Sequence, residues 1–265
     1  MTRAVEFEVA DARLAGTVEG QGPAFVWLHA LTSSRDRERR RGIYDWTDIA
    51  RDFTVVRYDA RGHGESTGLP VDDHYLWRRL ADDLLAVLAN LGDDPVVVGG
   101  ASMGAVTTLW AALAAPQRMK ALVLATPPAA WSARQQQADG WRRAAHIVQK
   151  YGAAELLRRI AAARGPDLFE GRPELADTAS DVDEALLPAV LRGAASSDLP
   201  GPEQLAGLRL PTLILAWHGD PDHPVATAER LAEIIPGSQL HVADDLVHTE
   251  RWPDLVRAFL VDANP

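Results

Sequence analysis

The chain has 265 residues, 47% of them hydrophobic and 24% charged, with a formal net charge of −10 and no cysteine. This is the make-up of a folded globular protein long enough to bury a sizeable core, and the missing thiols exclude a cysteine nucleophile, disulfides, iron–sulfur clusters and cysteine-held zinc. The acidic excess disfavours nucleic acid and anionic membrane as partners. With no apolar core near the N-terminus and no uncharged run of the ~20 residues that a membrane span needs, a cytoplasmic protein acting on a small molecule is expected.

In chain order, residues 5–9 and 14–19 alternate apolar and polar side chains, which predicts an antiparallel hairpin at a sheet edge. Residues 24–28, 54–58, 96–99, 121–125 and 212–217 are continuously apolar, the pattern of parallel strands buried on both faces, and 239–243 is also strand-like. Helical patterns occupy 77–91, 103–115, 226–235 and 252–261. The alternation predicts an α/β fold, a doubly wound and mostly parallel sheet. Between Pro127 and Gly207 the strands stop. Ala-, Leu- and Arg-rich helices are expected there at 141–151, 153–164 and 184–191, ending at the Pro200-Gly201-Pro202 turn. The expected organisation is therefore one core, 1–126 with 208–265, interrupted by a helical cap at 127–207.

Gly100-Ala101-Ser102-Met103-Gly104 follows a predicted strand and opens a predicted helix. A G-x-S-x-G at such a junction is a nucleophile elbow. Its small residues let strand and helix approach, and its strained turn lifts the serine hydroxyl clear of the sheet. Ser102 is the candidate nucleophile, and the Met103 N–H at the helix N-terminus is a candidate oxyanion donor. A serine needs a base and an orienting carboxylate. Downstream, His218-Gly219-Asp220-Pro221-Asp222-His223-Pro224 follows one strand, and Asp244-Asp245-Leu246-Val247-His248 follows another. Crowding of His218, Asp220, Asp222 and His223 on one short turn argues against a metal site, and neither a metal nor a cofactor is expected. The run Ser34–Arg41 holds five arginines and two acids. It reads either as a solvated loop or as a cationic rim that attracts anionic substrates.

Five blocks in order resemble the α/β-hydrolase superfamily: Leu28-His29-Ala30, Tyr58 to Ser66 with its Arg61-Gly62-His63-Gly64 turn, the Ser102 elbow, Gly219 to Pro224, and His248 followed by Glu250 and Pro253. The resemblance implies a Ser102–His248–Asp222 triad, with Asp220 as the rival acid. It also implies Leu31 N–H as the second oxyanion donor and His29 as the brace of that loop. Alanine stands at position 30 where similar proteins carry glycine, which can reach backbone angles that alanine avoids. His29, Trp131 and Trp141 are the substrate-pocket candidates. The expected activity is cofactor-independent hydrolysis of a small carboxylic ester or lactone. Acyl transfer, lyase or carbon–carbon hydrolysis, and a non-catalytic ligand receptor are the alternatives on the same scaffold. Dehalogenation and epoxide hydrolysis are disfavoured, because similar enzymes doing that chemistry carry Asp where this chain has Ser102. Oligomeric state is not legible in the sequence.

Overall fold

The computed structural model describes residues 2–162 and 179–264. The hairpin forms as expected: β1 (Thr2–Val9) and β2 (Ala12–Glu19) pair antiparallel, with Phe7 opposite Leu14. β2 lies antiparallel on β4 (Thr54–Tyr58). The other strands are β3 (Ala24–Leu28), β5 (Val96–Ala101), β6 (Met119–Ala125), β7 (Thr212–Trp217) and β8 (Gln239–Ala243), and all their pairings are parallel. Together they make one eight-stranded sheet in the order β1-β2-β4-β3-β5-β6-β7-β8.

The unbroken apolar runs have a simple cause: helices cover both faces of the sheet. Along β7, Leu213, Leu215 and Trp217 enter one core layer, while Ile214 and Ala216 enter the other. The period of two thus survives as alternation between two apolar layers. One layer is closed by α2 (Trp77–Asn90), α3 (Met103–Ala114) and α8 (Val225–Ile234). In α2 the buried residues Trp77, Leu80, Ala81, Leu84, Val87 and Leu88 recur at helical spacing and form its inward stripe. The opposite layer is closed by α10 (Trp252–Asp262) and by Tyr44, Trp46 and Ile49.

The arginine-rich run is a helix, α1 (Arg35–Arg41), rather than a loop. Ser34 caps it by accepting from Arg37 N–H, and Gly42 ends it at φ 70°. Its acids Asp36 and Glu38 lie in the first turn and Arg39, Arg40 and Arg41 in the last, which matches the helix dipole. Arg35, Arg37 and Glu38 are buried, with Arg35 ion-paired to Asp59 and Glu65.

Between β6 and β7 lie α4 (Arg134–Tyr151), α5 (Ala153–Ala162), α6 (Leu187–Ala195) and the short α7 (Pro202–Ala206), with no strand among the described residues. The first of these begins seven residues earlier than the periodicity from Trp141 suggests, because its polar Gln-rich first turns carry no apolar stripe to read. The expected helix at 153–164 ends beyond the described residues, as does the part of the expected cap at 163–178. α4, α5 and α6 share an apolar cluster with Tyr75 that includes Ala145, Val148, Leu156, Leu187 and Leu191. No helix among the described residues is long and apolar enough to cross a membrane. β3 has β4 on one side and β5 on the other, so the chain changes direction across the sheet there. The crevice at the carboxyl ends of β3 and β5 is where ligand sites form in such sheets.

Candidate active site

Ser102 sits at the end of β5 with φ 52° and ψ −110°, a conformation that costs a non-glycine residue ~1–3 kcal/mol. The strain is held from both ends, since Ser102 N–H donates to Ala125 O at 3.0 Å and Val106 N–H donates to Ser102 O at 3.2 Å. The flanking glycines allow the turn. A Cβ on Gly100 would lie 2.5 Å from the Gly104 carbonyl carbon, and one on Gly104 would overlap Leu28 O. Only hydrogen at both positions lets the elbow fold this tightly.

The Ser102 hydroxyl lies 2.9 Å from His223 Nε2, and His223 Nδ1 lies 2.8 Å from Asp220 Oδ2. A carboxylate only accepts, so Nδ1 carries the proton and Nε2 accepts from the serine. Asp220 also accepts from Trp217 Nε1 at 3.1 Å and from Asp222 N–H at 2.9 Å. Burial opposes the Asp220 charge, but His223 and these donors outweigh it and hold its carboxyl down to about 2. Burial likewise disfavours charge on His223, yet the Asp220 carboxylate raises its pKa above the usual imidazole value.

These partners differ from the expected ones. His248 is half-exposed on the short α9 (Leu246–Thr249), where its Nδ1 bonds Asp245 at 2.9 Å. It faces a separate cavity with His241, Arg251 and Trp252. The reason is local. Directly after β8, Asp245 caps α9 by accepting His248 N–H at 2.9 Å, and this turn carries the ring away from Ser102. Asp222 is exposed, with its carbonyl taken by Ala129 N–H and Gln137 Nε2, and it reaches no histidine nitrogen. Asp220, the rival acid, is the carboxylate at the histidine. His223 is one of a crowded group in the sequence, and family resemblance does not point to it. Its offset of three from Asp220, across a turn closed by His223 N–H to Asp220 O at 3.3 Å, was the available signal.

The loop after β3 comes to the same point. His29 is buried, and burial lowers its pKa to about 4, so the ring is neutral. Its Nε2 accepts Ala60 N–H at 2.9 Å, and its Nδ1–H therefore donates to Ala30 O at 2.7 Å. His29 braces the loop and does not line the large cavity. Ala30 and Leu31 do, beside Ser102 and His223. Met103, buried at the first position of α3, follows the serine directly.

Two cavities meet at Ser102 and His223. The larger, about 430 Å³, runs under α4, α5 and α6 past Trp141, Leu156, Leu187 and Leu191, and Arg37 and Arg41 also line it. The smaller, about 200 Å³, is walled by Glu38, Tyr44, Thr126 and Trp217. Of the two tryptophans expected in the pocket, Trp141 lines the larger cavity. Trp131 does not: its indole N–H donates to Pro200 O at 3.0 Å and its backbone N–H to Asp198. Arg134 lies between the rings of Trp77 and Trp141, 4.3 and 4.2 Å from their centroids, and ties α4 to α2.

The fold has counterparts among known proteins. The family model for the alpha/beta hydrolase fold matches residues 23–249. The 3-oxoadipate enol-lactonase 1 of Acinetobacter baylyi is 29% identical over 198 residues, covering 72% of this chain and 71% of that protein. A malate-bound thermophilic esterase from Thermogutta terrifontis superposes with a TM-score of 0.82 at 23% identity, over 99% of this chain and all of that one, 100%. The enol-lactonase from Burkholderia xenovorans superposes with a TM-score of 0.79 at 21% identity, covering 98% of this chain and 99% of that one.

Proposed function

Since the chain belongs to the alpha/beta hydrolase fold family, we propose that it is a serine hydrolase that cleaves a small carboxylic ester or lactone through Ser102, His223 and Asp220. The single observation that carries this reading is the continuous hydrogen-bonded line from Ser102 Oγ through His223 to Asp220, at 2.9 and 2.8 Å, starting from a strained elbow. The enol-lactonase and esterase relatives support the ester or lactone class.

In the proposed reaction Ser102 Oγ attacks the carbonyl carbon while His223 Nε2 takes its proton. The Leu31 and Met103 N–H groups hold the oxyanion that forms. The intermediate then expels the alkoxide or enolate oxygen, which receives the proton from His223. Water attacks the acyl-enzyme with His223 again as base, which restores Ser102 and releases the acid. In a lactone both halves remain in one molecule, so a single hydroxy acid, or its keto tautomer, leaves. Asp220 keeps the ring in the tautomer that accepts from serine. The inserted helices serve as the cap over the larger cavity, whose apolar wall suits the hydrocarbon part of the substrate.

A fluorophosphonate probe and a panel of esters, lactones and thioesters test the reading against the Ser102→Ala control. Labelling and turnover that both vanish in Ser102→Ala and in His223→Ala are expected. Full turnover by His223→Ala would defeat it.

A further inference from the structure

We infer that Glu38 is a positioning residue for the oxyanion hole, holding the loop that presents Leu31 N–H. The inference rests on the proposed serine mechanism. Glu38 is buried on α1, and both of its oxygens accept: Oε1 takes Ala30 N–H at 2.9 Å, and Oε2 takes Trp27 Nε1–H at 2.8 Å. Trp27 stands on β3 and Ala30 just past its end, so the carboxylate ties the loop to the strand that carries it. The next peptide unit is gripped from its other side. Ala30 O accepts from His29 Nδ1 at 2.7 Å and from Ser33 N–H at 3.2 Å. In a trans peptide the following N–H points opposite to that carbonyl. Leu31 N–H is therefore aimed away from both donors, and it has no protein acceptor among the described residues. With both its N–H and its C=O tied, residue 30 is held in place, and its φ lies outside the left-handed region, so alanine serves there without strain.

A carboxylate suits the task because both of its oxygens accept, whereas an amide presents one acceptor and one donor. The groups facing it are the Trp27 indole from β3, Arg57 from β4, Arg41 from its own helix and Tyr44 from the segment after α1. Burial pushes the Glu38 carboxyl up to about 7 against the pull of these donors and charges. Comparison at pH 8.5 therefore reads the ionised form.

The test measures kcat, KM and the affinity for a boronic acid, which forms a tetrahedral adduct on Ser102, in wild type, Glu38→Gln and Glu38→Asp. Glu38→Gln turns an N–H toward the Trp27 indole N–H or toward Ala30 N–H, and Glu38→Asp draws the acceptor back by one methylene. Both are expected to lower kcat and boronate affinity by about tenfold or more, short of the 10²–10³ that loss of a whole oxyanion donor costs. KM, and substrate affinity in a Ser102→Ala background, are expected to stay within about twofold. Adding Trp27→Phe to Glu38→Gln removes the donor that the amide would oppose, and it is expected to restore most of kcat. If Glu38→Gln does not fold, Glu38→Asp carries the comparison. A fall in thermal stability with kcat and boronate affinity unchanged would overturn the assignment, as would a rise in KM alone. A wild type that neither labels with fluorophosphonate nor turns over any of the panel would defeat the triad reading and this one with it. An active wild type with both Glu38 variants unimpaired would defeat this one alone.

Discussion

Within the turn from Asp220 to His223 the carboxylate and the ring meet across three residues, so a local backbone turn sets the geometry of the acid–base pair. Two expectations follow at the scale of single residues. His223→Ala should lower kcat by several orders of magnitude, and Asp220→Asn by roughly 10⁴, because the asparagine amide would favour the wrong tautomer. His248→Ala and Asp222→Asn should each stay within about threefold of wild type, since neither side chain reaches Ser102. Steady-state kinetics on any ester of the panel decides this, and a large loss in His248→Ala would restore the triad implied by family resemblance. The pH profile is the second expectation. His223 must be neutral to accept the serine proton, so activity falls as pH drops through its pKa. The Asp220 carboxylate raises that pKa, which places the acid limb above the usual 6.5 of imidazole. In Asp220→Asn the residual activity should persist to lower pH, because the cation loses its partner. An acid limb that stays in place in that variant would show that another group sets it. The Ser102 elbow was legible because its steric demands leave their mark as G-x-S-x-G. The histidine was not, because family resemblance points to the first histidine after the last strand. Here Asp245 caps a short helix and His248 lies within it.

The elements that were plain in the sequence are those whose apolar runs or stripes answer to the two-layered core, such as β3, β7 and α2. α1 was not plain, because a helix with five arginines in seven residues looks solvated. Its burial depends on partners remote in sequence: Asp59 and Glu65 for Arg35, Asp181 for Arg37, and Trp27 for Glu38. Composition alone cannot reveal such pairing. The junction of β3, β5 and α3 leaves no room for a side chain at position 104. A methyl group at position 104 would press on the Leu28 backbone from the first turn of α3. Gly104→Ala is therefore expected to destabilise the fold by about 3 kcal/mol, the scale of overpacking a close-packed interior. It should also slow fluorophosphonate labelling of Ser102 at least tenfold. Thermal denaturation together with the labelling rate checks both, and an unchanged melting temperature would mean that the junction yields more easily than its geometry implies.

Across the whole molecule the inserted helices and the sheet share one interior: Ala194, Leu199, Leu205 and Leu208 sit in the same apolar layer as α2 and α3. Arg134 is the polar tie within that continuity. Its guanidinium lies between the Trp77 and Trp141 rings, and it donates to Ser197 O at 2.9 Å and Ala194 O at 2.8 Å. Burial lowers its pKa to about 10, still far above neutrality, so the cation is intact under ordinary conditions. Arg134→Met preserves much of the volume but removes the charge between the rings and the guanidinium hydrogen bonds to both carbonyls, of which Ala194 O keeps Ser197 N–H at 3.1 Å. Each of those losses is worth roughly 1–2 kcal/mol, or about 3 kcal/mol together. None of the atoms involved belongs to Ser102, His223 or Asp220. Trp141 and α4, however, form a wall of the larger cavity. The expected signature is therefore split: a lowered melting temperature and a KM that rises several-fold for substrates with large acyl groups, while acetyl esters and Ser102 labelling change little. If kcat and Ser102 labelling instead fell alike for small and large acyl groups, Arg134 would be setting the triad itself and not the wall above it.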